Sequence, residues 1–488
     1  MKRIIPLVLP LAAALMSACF EPHYAAPKTP EPAGFKERDS QWKPASPSDS
    51  LPRGKWWEIF GDAKLNGLEE QCAAANQSLQ QAEAQYRQSR ALVSSALTGF
   101  FPTATANPSA TRQRSYSAGT NTYSYSTLYS APGTASWEPD LWGAIRLSVK
   151  TSVGQAQAGA ANLENARLSL QAQLAADYFT LEATDMQETN LSSATLDFES
   201  NVKLTTNRFN AGVASQADVS QAESQLESTR AQASDLQITR AQLEHAIAVL
   251  VGVSASSFTM EGGAIAAPPP EIPTGLPSQL LERRPDIAAA ERQVYAANAG
   301  VGLARAAYFP VINIVATGGF ENTASNKVLM WSSRFFSLGA TASETIIDFG
   351  KRGAQRKQAW AVYDGAVAGY RQSVLVAFQE VEDDLAALRW LSTEAGQQDL
   401  ALKAAQESLK LTLERYQAGL VSYLDVIQAQ NIYLTSLNGS AQILGRRMTA
   451  SVNLMRDLGG GWNQTLMPDW NKVRATYPSG SLVQPKAN

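Results

Sequence analysis

The chain carries two similar six-residue strings. Residues 208–213 read Arg-Phe-Asn-Ala-Gly-Val, and residues 415–420 read Arg-Tyr-Gln-Ala-Gly-Leu. The correspondence continues on both sides of the string, at Asp218 and Asp425, at Phe-Pro in 101–102 and 309–310, and at Val-Gly in 251–252 and Leu-Gly in 458–459. The sequence therefore predicts a duplicated unit of roughly 200 residues, which is too long for a solenoid repeat.

Each copy predicts the same order of elements, which is a helix, a strand region and a long helical hairpin. Apolar residues in the hairpins alternate spacings of three and four, from Ala222 to Leu250 and from Ile427 to Leu458. That alternation is typical of coiled coils. Residues 150–207 contain no proline, and one helix over them would span roughly 90 Å. Helices of this length favour a tube or a rod over a globule.

Four segments resemble strands, at about 103–120, 122–137, 311–320 and 335–343. Tyr123, Tyr125 and Tyr129 share one strand face because side chains alternate. Other aromatic residues gather near the strand ends, as in the girdles of outer-membrane barrels, although a surface hairpin is an alternative. Membrane strands cannot leave open edges, and the smallest barrels need about eight strands. If the strands lie in a membrane, several chains must share one barrel.

The N-terminal residues indicate an export signal. Lys2 and Arg3 precede an apolar run that ends near residue 15, and residues 16–19 read Met-Ser-Ala-Cys. The run is too short to span a bilayer as a helix, and residues 1–18 are predicted to be a signal peptide. The string resembles a bacterial lipobox, which implies acylation of Cys19. A plain signal peptide is the alternative. Residues 19–53 are rich in proline and predict a lipid-anchored tether.

Composition excludes several classes of function. The 41 basic and 44 acidic residues nearly balance, which gives no reason to expect a nucleic-acid partner. Two histidines and two cysteines are too few for most metal or thiol chemistry, and no cofactor, metal site or enzymatic activity is predicted. Cys72 is expected to be a small core residue. We expect a solvated helix face, not a metal site, for the acidic group Glu380, Glu382, Asp383 and Asp384.

Several strings carry a family resemblance. Residues 56–62 read Trp-Trp-Glu-Ile-Phe-Gly-Asp, residues 281–287 read Leu-Glu-Arg-Arg-Pro-Asp-Ile, and residues 458–462 read Leu-Gly-Gly-Gly-Trp. Together they resemble the TolC-like outer-membrane factors of tripartite efflux systems, especially the NodT- or OprM-like lipoproteins that work with resistance-nodulation-division (RND) pumps. The resemblance implies a passive duct for drugs or other small toxic compounds, with a periplasmic adaptor, an RND pump and outer-membrane lipid as partners.

The resemblance also implies an architecture. A homotrimer, with four strands from each chain, would form a twelve-stranded outer-membrane β-barrel that a coiled-coil α-helical barrel continues into the periplasm. The chain would divide into a first repeat at 54–252 with its hairpin at 150–251, an equatorial linker at 253–278, a second repeat at 279–460 with its hairpin at 351–458, and a tail at 461–488.

The resemblance places a periplasmic aperture at Leu424, Asp425 and Gln428. Relatives carry a second aspartate and an arginine where this chain has Gln428 and Asn431, so the gate is expected to be polar, uncharged and held differently. An alternative for Asp425 is a first-turn acid that stabilises its helix. The hairpin tips would face the adaptor, at Arg208, Gly212, Arg415, Tyr416 and Gly419. Both glycines suit the left-handed position that ends a helix.

Two further interpretations of the whole chain stay open at this point. A periplasmic coiled-coil lipoprotein with a structural or adaptor role would share the lipobox and the heptads, although membrane-length strands in both halves argue against it. A type I protein-secretion duct would share the whole architecture. The sequence does not predict the cargo or the cognate adaptor and pump.

Overall fold

A computed structural model describes residues 24–29, 34–37, 55–119, 121–270, 272, 283–462, 467–469 and 472–473. After a short 3₁₀ turn at Trp56–Phe60, the first half contains α1 (Ala63–Ala75), α2 (Gln77–Thr98), β1 (Thr103–Ala106), β2 (Ser109–Ser117), β3 (Thr122–Trp137), α3 (Ala144–Asn210) and α4 (Gln216–Leu250). The second half contains α5 (Pro285–Ala306), β4 (Val311–Asn322), β5 (Arg334–Ser343), α6 (Lys351–Gln417) and α7 (Tyr423–Asp457).

The two halves have helices of matching length. Helices α3 and α6 have 67 residues each, and α4 and α7 have 35 each. A helix of 67 residues is about 100 Å long. None of the helices in the described ranges combines the length and the apolar character that crossing a bilayer requires.

Equivalent aspartates precede the two long helices and cap their first turns. Asp140 accepts a hydrogen bond from the backbone N–H of Ile145, and Asp348 accepts one from that of Arg352. Each carboxylate also pairs with an arginine in the first turn, Asp140 with Arg146 at 2.9 Å and Asp348 with Arg352 at 2.8 Å. These caps explain why α3 begins at Ala144, before the predicted start at residue 150.

The strands form one antiparallel sheet in the order β1–β3–β4–β5, with β2 also paired to β3. The strand predicted at 103–120 is interrupted at Asn107 and Pro108, because proline has no N–H to donate to a ladder. The interruption does not change the register, since Ala106 faces Gly133 and Ser109 faces Ser130. Within the described chain, β1 and β2 lie on one edge of the sheet and β5 on the other.

Aromatic side chains join the sheet to the helices at one end. The indole N–H of Trp142 donates to the carbonyl oxygen of Pro310 at 2.7 Å, and its ring stacks on Phe309 at 5.1 Å. Trp137 donates to the carbonyl oxygen of Phe100 at 3.0 Å. Trp142 of the first repeat thus packs on the Phe-Pro string of the second.

The largest core lies where helices of both repeats meet. It contains Trp56, Leu65, Tyr178, Ile247 and Leu454, all nearly inaccessible to solvent. Cys72 belongs to this core, as predicted, and burial raises the pKa of its thiol to about 12. A thiol with so high a pKa is not a nucleophile at neutral pH.

The acidic group on α6 is not the solvated face that the sequence predicted. Glu380 accepts a hydrogen bond from Arg284 at 2.6 Å, and Glu382 accepts two from the backbone N–H groups of Lys36 and Glu37. Burial, followed by the negative charge of Asp457, raises the pKa of Asp384. The prediction was wrong because α6 packs against α5 and the N-terminal segment along this face; among the four residues, Asp383 is exposed.

Parts of the predicted N-terminal tether lie against the helical body. The Tyr24 hydroxyl donates to Glu291 on α5, and its ring meets Tyr295 edge-on at 5.2 Å. Phe35 is buried in the largest core. The segment is therefore held at two points along the helices.

Candidate functional site

The two faces of the sheet differ sharply in polarity. The registers run without a bulge, so alternate residues of all strands share a face. One face, called the apolar face here, carries Ala104, Ala106, Ala131, Gly133, Ala135, Trp137, Ile312, Ile314, Ala316, Gly318, Phe320, Phe336, Leu338, Ala340 and Ala342. Arg334, opposite Phe320, stands at the end of the apolar face. The opposite face, called the polar face here, carries Thr103, Thr105, Ser130, Thr134, Ser136, Asn313, Thr317, Ser337, Thr341 and Ser343, together with the apolar residues Pro132, Val311, Val315 and Phe335.

Contacts within the sheet support this division. On the polar face, Thr134 and Thr317 lie 3.3 Å apart through their hydroxyls, and Ser136 donates to Asn313 at 2.9 Å. On the apolar face, Phe336 is 90% exposed and Leu338 75%. Large exposed apolar patches mark a contact with another surface or with lipid. The segment from Ile312 to Phe320 has the length of roughly 9–11 residues with which a tilted strand crosses a bilayer.

The hairpin tips lie at the far end of the long helices from the sheet. Gly212 and Gly419 end α3 and α6 with φ of +75° and +74°, the left-handed conformation that glycine adopts without strain. The residue after each glycine donates back into the last helical turn, Val213 to Arg208 and Leu420 to Arg415, both at 2.9 Å. This is the Schellman pattern, and it agrees with the conformation predicted for both glycines.

The first residues of α4 and α7 form matching capping boxes. Asp218 accepts from the backbone N–H of Ser215, and Asp425 from that of Ser422, both at 2.9 Å. The serine side chains complete each box by accepting from the backbone N–H of the aspartate. Hydrogen bonds from Ser422, first from its side chain, lower the pKa of the Asp425 carboxyl. The capping role considered for Asp425 is present in the structure.

The two tips pack on each other through one small cluster. Ala222 of α4 is buried with Tyr423, Val426 and Ile427 of α7. Because this helix face is turned inward, Leu424 and Gln428, one turn apart, are exposed. Arg208 of the first tip lies with its guanidinium 4.6 Å from the ring centre of Tyr416 in the second. Residues from both repeats thus meet at one end of the molecule.

Amide side chains join the first hairpin to α7. Gln225 donates to Asn431 at 2.8 Å, and Asn431 donates back at 3.0 Å. Two further pairs lie on α3 and α7: Asn190 donates to Asn438 at 3.1 Å and Asn201 to Gln430 at 3.4 Å. The sequence indicated that Asn431 was unusual, but it did not identify Gln225, because no repeat or heptad relation connects the two.

The linker after α4 is fastened to the helices by charged residues. Arg240 of α4 pairs with Asp185 of α3 at 2.8 Å and donates to the carbonyl oxygen of Met260 at 2.8 Å. The other oxygen of Asp185 accepts from the backbone N–H of Gly263 at 2.9 Å. Arg240, which interrupts the apolar heptad run, therefore positions the linker.

Comparisons with known proteins agree with this architecture. A family model described as "Outer membrane efflux protein" matches residues 68–253 and 276–460. The pyoverdine export outer membrane protein OpmQ of Pseudomonas aeruginosa is 30% identical over 87% of this chain and 91% of its own length. The outer membrane protein OprJ of the same species is 31% identical over 93% and 95%. A structure of the outer-membrane channel OprN superposes with a TM-score of 0.83 at 30% identity, covering 91% of this chain and 99% of that one.

The chain belongs to the outer membrane efflux protein family. It is an outer-membrane channel component of an efflux pump. The resemblance inferred from the sequence strings is therefore confirmed. The expected acylation site, Cys19, lies outside the described residues.

Proposed function

We propose that three copies of the chain close a twelve-stranded β-barrel in the outer membrane and continue it into the periplasm as a helical duct. The observation that carries this proposal is the sheet, which has an apolar face of membrane thickness. In the described part of the chain, the edge strands β1–β2 and β5 are each paired on one side only. Unpaired edges cannot lie in lipid, and pairing of β5 with the next chain's β1–β2 edge removes them. The polar face then lines the pore.

The first test is the mass of the detergent-extracted protein by light scattering, corrected for bound detergent. Three chains per particle are expected. With β1 and β2 counted as one interrupted strand, each chain supplies four strands to the barrel. A monomer would contradict the proposal, since four strands cannot close a barrel, and the periplasmic coiled-coil lipoprotein would then be the better interpretation.

The proposed trimer assigns a place to each predicted segment. Residues 19–53 are proposed as the lipid-anchored tether, 54–252 and 279–460 as the two repeats, 253–278 as the equatorial region and 461–488 as the tail. Anchoring is tested by labelling cells with an alkyne analogue of palmitate. Label should enter the wild-type protein and not a Cys19→Ser variant, and equal label in both would refute acylation at this residue.

The aperture is proposed to lie at the hairpin tips, with Leu424, Asp425 and Gln428 near the threefold axis. Leu424 and Gln428 are exposed on one side of α7, which supports this placement. Leu424 supplies an apolar constriction, while Asp425 caps its helix. No step of transport requires covalent chemistry, and no catalytic residue is proposed.

The tips are also proposed to dock a periplasmic adaptor of an RND pump, through Arg208, Gly212, Arg415, Tyr416 and Gly419. The contact between Arg208 and Tyr416 makes the two tips one surface. A photo-cross-linking residue placed at Val213, which is 74% exposed, should capture the adaptor in cells. The same residue at Leu196, exposed well up α3, is the matched control; equal capture at both positions would contradict docking at the tips.

Small toxic compounds are the proposed cargo. OpmQ is named for pyoverdine export, and a relative from Pseudomonas putida, ArpC, is named for antibiotic efflux. Deletion of the gene should increase the intracellular accumulation of several chemically different dyes, and the wild-type chain should reverse this. Accumulation of a secreted polypeptide without any change in dye efflux would instead favour the type I duct.

A further inference from the structure

Strands β2 and β3 extend beyond the rest of the sheet as a two-stranded hairpin. The pairing of β3 with β4 ends at Tyr129, which faces Asn322, whereas β2 stays paired with β3 up to Ser117 and Thr122. This projecting hairpin lies at the opposite end of the sheet from α3 and α6. In the proposed trimer, which this inference presupposes, the hairpin stands at the outer leaflet.

The register places two arginines on the lipid side of the projecting hairpin. Arg112 faces Thr127 and Arg114 faces Tyr125, in the same alternation that puts Ala106 and Ala131 on the apolar face. Thr127 lies four residues beyond Ala131, or roughly 13 Å along the strand. Tyr125 lies two residues further along β3. On strands tilted by about 40°, the two guanidinium groups therefore stand roughly 10 and 15 Å above the end of the apolar band, in the polar layer of the outer leaflet.

Tyrosine rings hold both guanidinium groups. Arg114 lies 3.7 Å from the ring centre of Tyr123 and 5.6 Å from that of Tyr125. Arg112 lies 5.8 Å from the ring centre of Tyr125. Stacking orders an arginine on a ring face while its N–H edge can still bind an acceptor.

The surroundings of the two arginines carry no compensating negative charge. Residues 103–137 contain no aspartate or glutamate. Among the described residues, no carboxylate forms an ion pair with Arg112 or Arg114. At the top of β5, on the same face, Arg334 stacks on Trp331 at 4.4 Å. A rim that is basic and aromatic, at headgroup depth, complements phosphate.

We propose that Arg112 and Arg114 form a binding site for the phosphate groups of anionic glycolipid headgroups in the outer leaflet. Each guanidinium fork can offer paired N–H donors to phosphate oxygens. The tyrosines supply amphipathic contact at the membrane interface. The lipid then fastens the rim of the barrel at each of its three projecting hairpins.

The test uses the full-length protein in neutral detergent, with bisphosphorylated lipid A as the probe and native mass spectrometry as the readout. An Arg112→Gln/Arg114→Gln variant should retain lipid A at least tenfold more weakly than the wild type. Dephosphorylated lipid A should bind the wild type as weakly as lipid A binds the variant. Equal retention of lipid A by variant and wild type would overturn the proposal.

A charge-swap variant is the matched control. Arg112→Gln/Gln113→Arg/Arg114→Gln/Ser115→Arg keeps the net charge and moves it to the polar face of the same strand. It should lose lipid A as the double variant does, and wild-type retention would show that net charge alone attracts the lipid, which contradicts the site. Light scattering on the wild type and on each variant separates the two proposals. Trimers throughout with unchanged lipid binding refute this site alone, and a monomeric wild type refutes the barrel.

Discussion

Gln225 of α4 and Asn431 of α7 exchange two hydrogen bonds, of 2.8 and 3.0 Å, between their side-chain amides. The pair joins the two hairpins just above the tips. Both side chains are uncharged at every physiological pH. We therefore expect the contact that holds the tips together to be insensitive to pH and, because no ion pair is involved, nearly insensitive to salt.

The first prediction concerns this amide pair. We infer that this pair favours the closed aperture. Asn431→Ala removes both hydrogen bonds and leaves the Gln225 amide with its weaker 3.4 Å contact to Thr229, which should destabilise the closed aperture by about 1–3 kcal/mol. The ratio of open to closed channels should rise by roughly five- to 150-fold. Single-channel recording in planar bilayers measures it, with more frequent opening expected for the variant. A Gln225→Leu/Asn431→Leu pair should close the channel again, because an apolar pair needs no partner.

Ser224→Ala is the matched control for this experiment. Ser224 occupies the position in the first repeat that corresponds to Asn431, and it is exposed. The open fraction of the Ser224→Ala channel should equal that of the wild type. If Asn431→Ala is also silent, the amide pair does not hold the tips.

The second prediction separates capping from charge at Asp425. Its carboxylate accepts two hydrogen bonds from Ser422, to the backbone N–H at 2.9 Å and the hydroxyl at 2.7 Å. Asparagine can also accept at this position, whereas alanine cannot. Asp425→Asn should therefore preserve hydrogen-exchange protection in the first turn of α7, and Asp425→Ala should lose it. An increased leak in Asp425→Asn, with protection intact, would instead indicate a carboxylate ring at the aperture.

The third prediction concerns Glu69, which is fully buried with both carboxylate oxygens unpartnered among the described residues. Burial raises its pKa to about 9, so the folded protein holds a proton that the unfolded chain releases above its ordinary pKa of about 4.3. Below a pH of about 4.3 the carboxyl is protonated in both states and this group costs no stability. Between that pH and the folded pKa, the free energy of unfolding of each chain falls by about 1.4 kcal/mol per pH unit. Between pH 6 and 8.5 the melting temperature should fall.

Glu69→Gln should flatten this pH dependence, since a neutral amide cannot titrate. The neighbouring Glu70 is exposed and pairs with Lys55 at 2.6 Å, so Glu70→Gln is the matched control and should keep the wild-type slope. An identical slope in all three proteins would show that Glu69 is ionised in the folded state.

The fourth prediction concerns Arg284, whose side chain is 9% exposed and pairs with Asp286 at 2.7 Å and Glu380 at 2.6 Å. Arg284→Met leaves Asp286 and Glu380 without this cation, whereas Asp457 keeps Arg456 at 2.8 Å. The change should cost about 3–5 kcal/mol of stability. Thermal unfolding should begin several degrees lower. Adding Asp286→Asn and Glu380→Gln should restore part of the loss. Arg305→Met in the last turn of α5, the helix that Arg284 precedes, is the control. An equal loss there would exclude a special role for Arg284.

Local patterns in the sequence predicted much of the fold. The duplicated string, the proline-free stretches and the alternation of Tyr123, Tyr125 and Tyr129 depend on spacing along one chain, and the structure has the corresponding helices, turns and strand face. The split between β1 and β2 was missed although Pro108 signals it. At the tip, the glycine turns and the cap at Asp425 were readable for the same reason, since each involves residues only a few positions apart.

What the sequence by itself determined is thus the duplicated order of elements, the period of the helices and the two faces of the strands. Only the tertiary structure decided that Gln225 meets Asn431, that Arg284 gathers acids from α5 and α6, and that Glu69 turns inward. The reason is helical phase. A straight helix drifts about 20° per heptad against a strict seven-residue repeat, so over the 67 residues of α3 or α6 the drift reaches roughly half a turn. Which side chain faces which neighbour is then set by packing against the other helices.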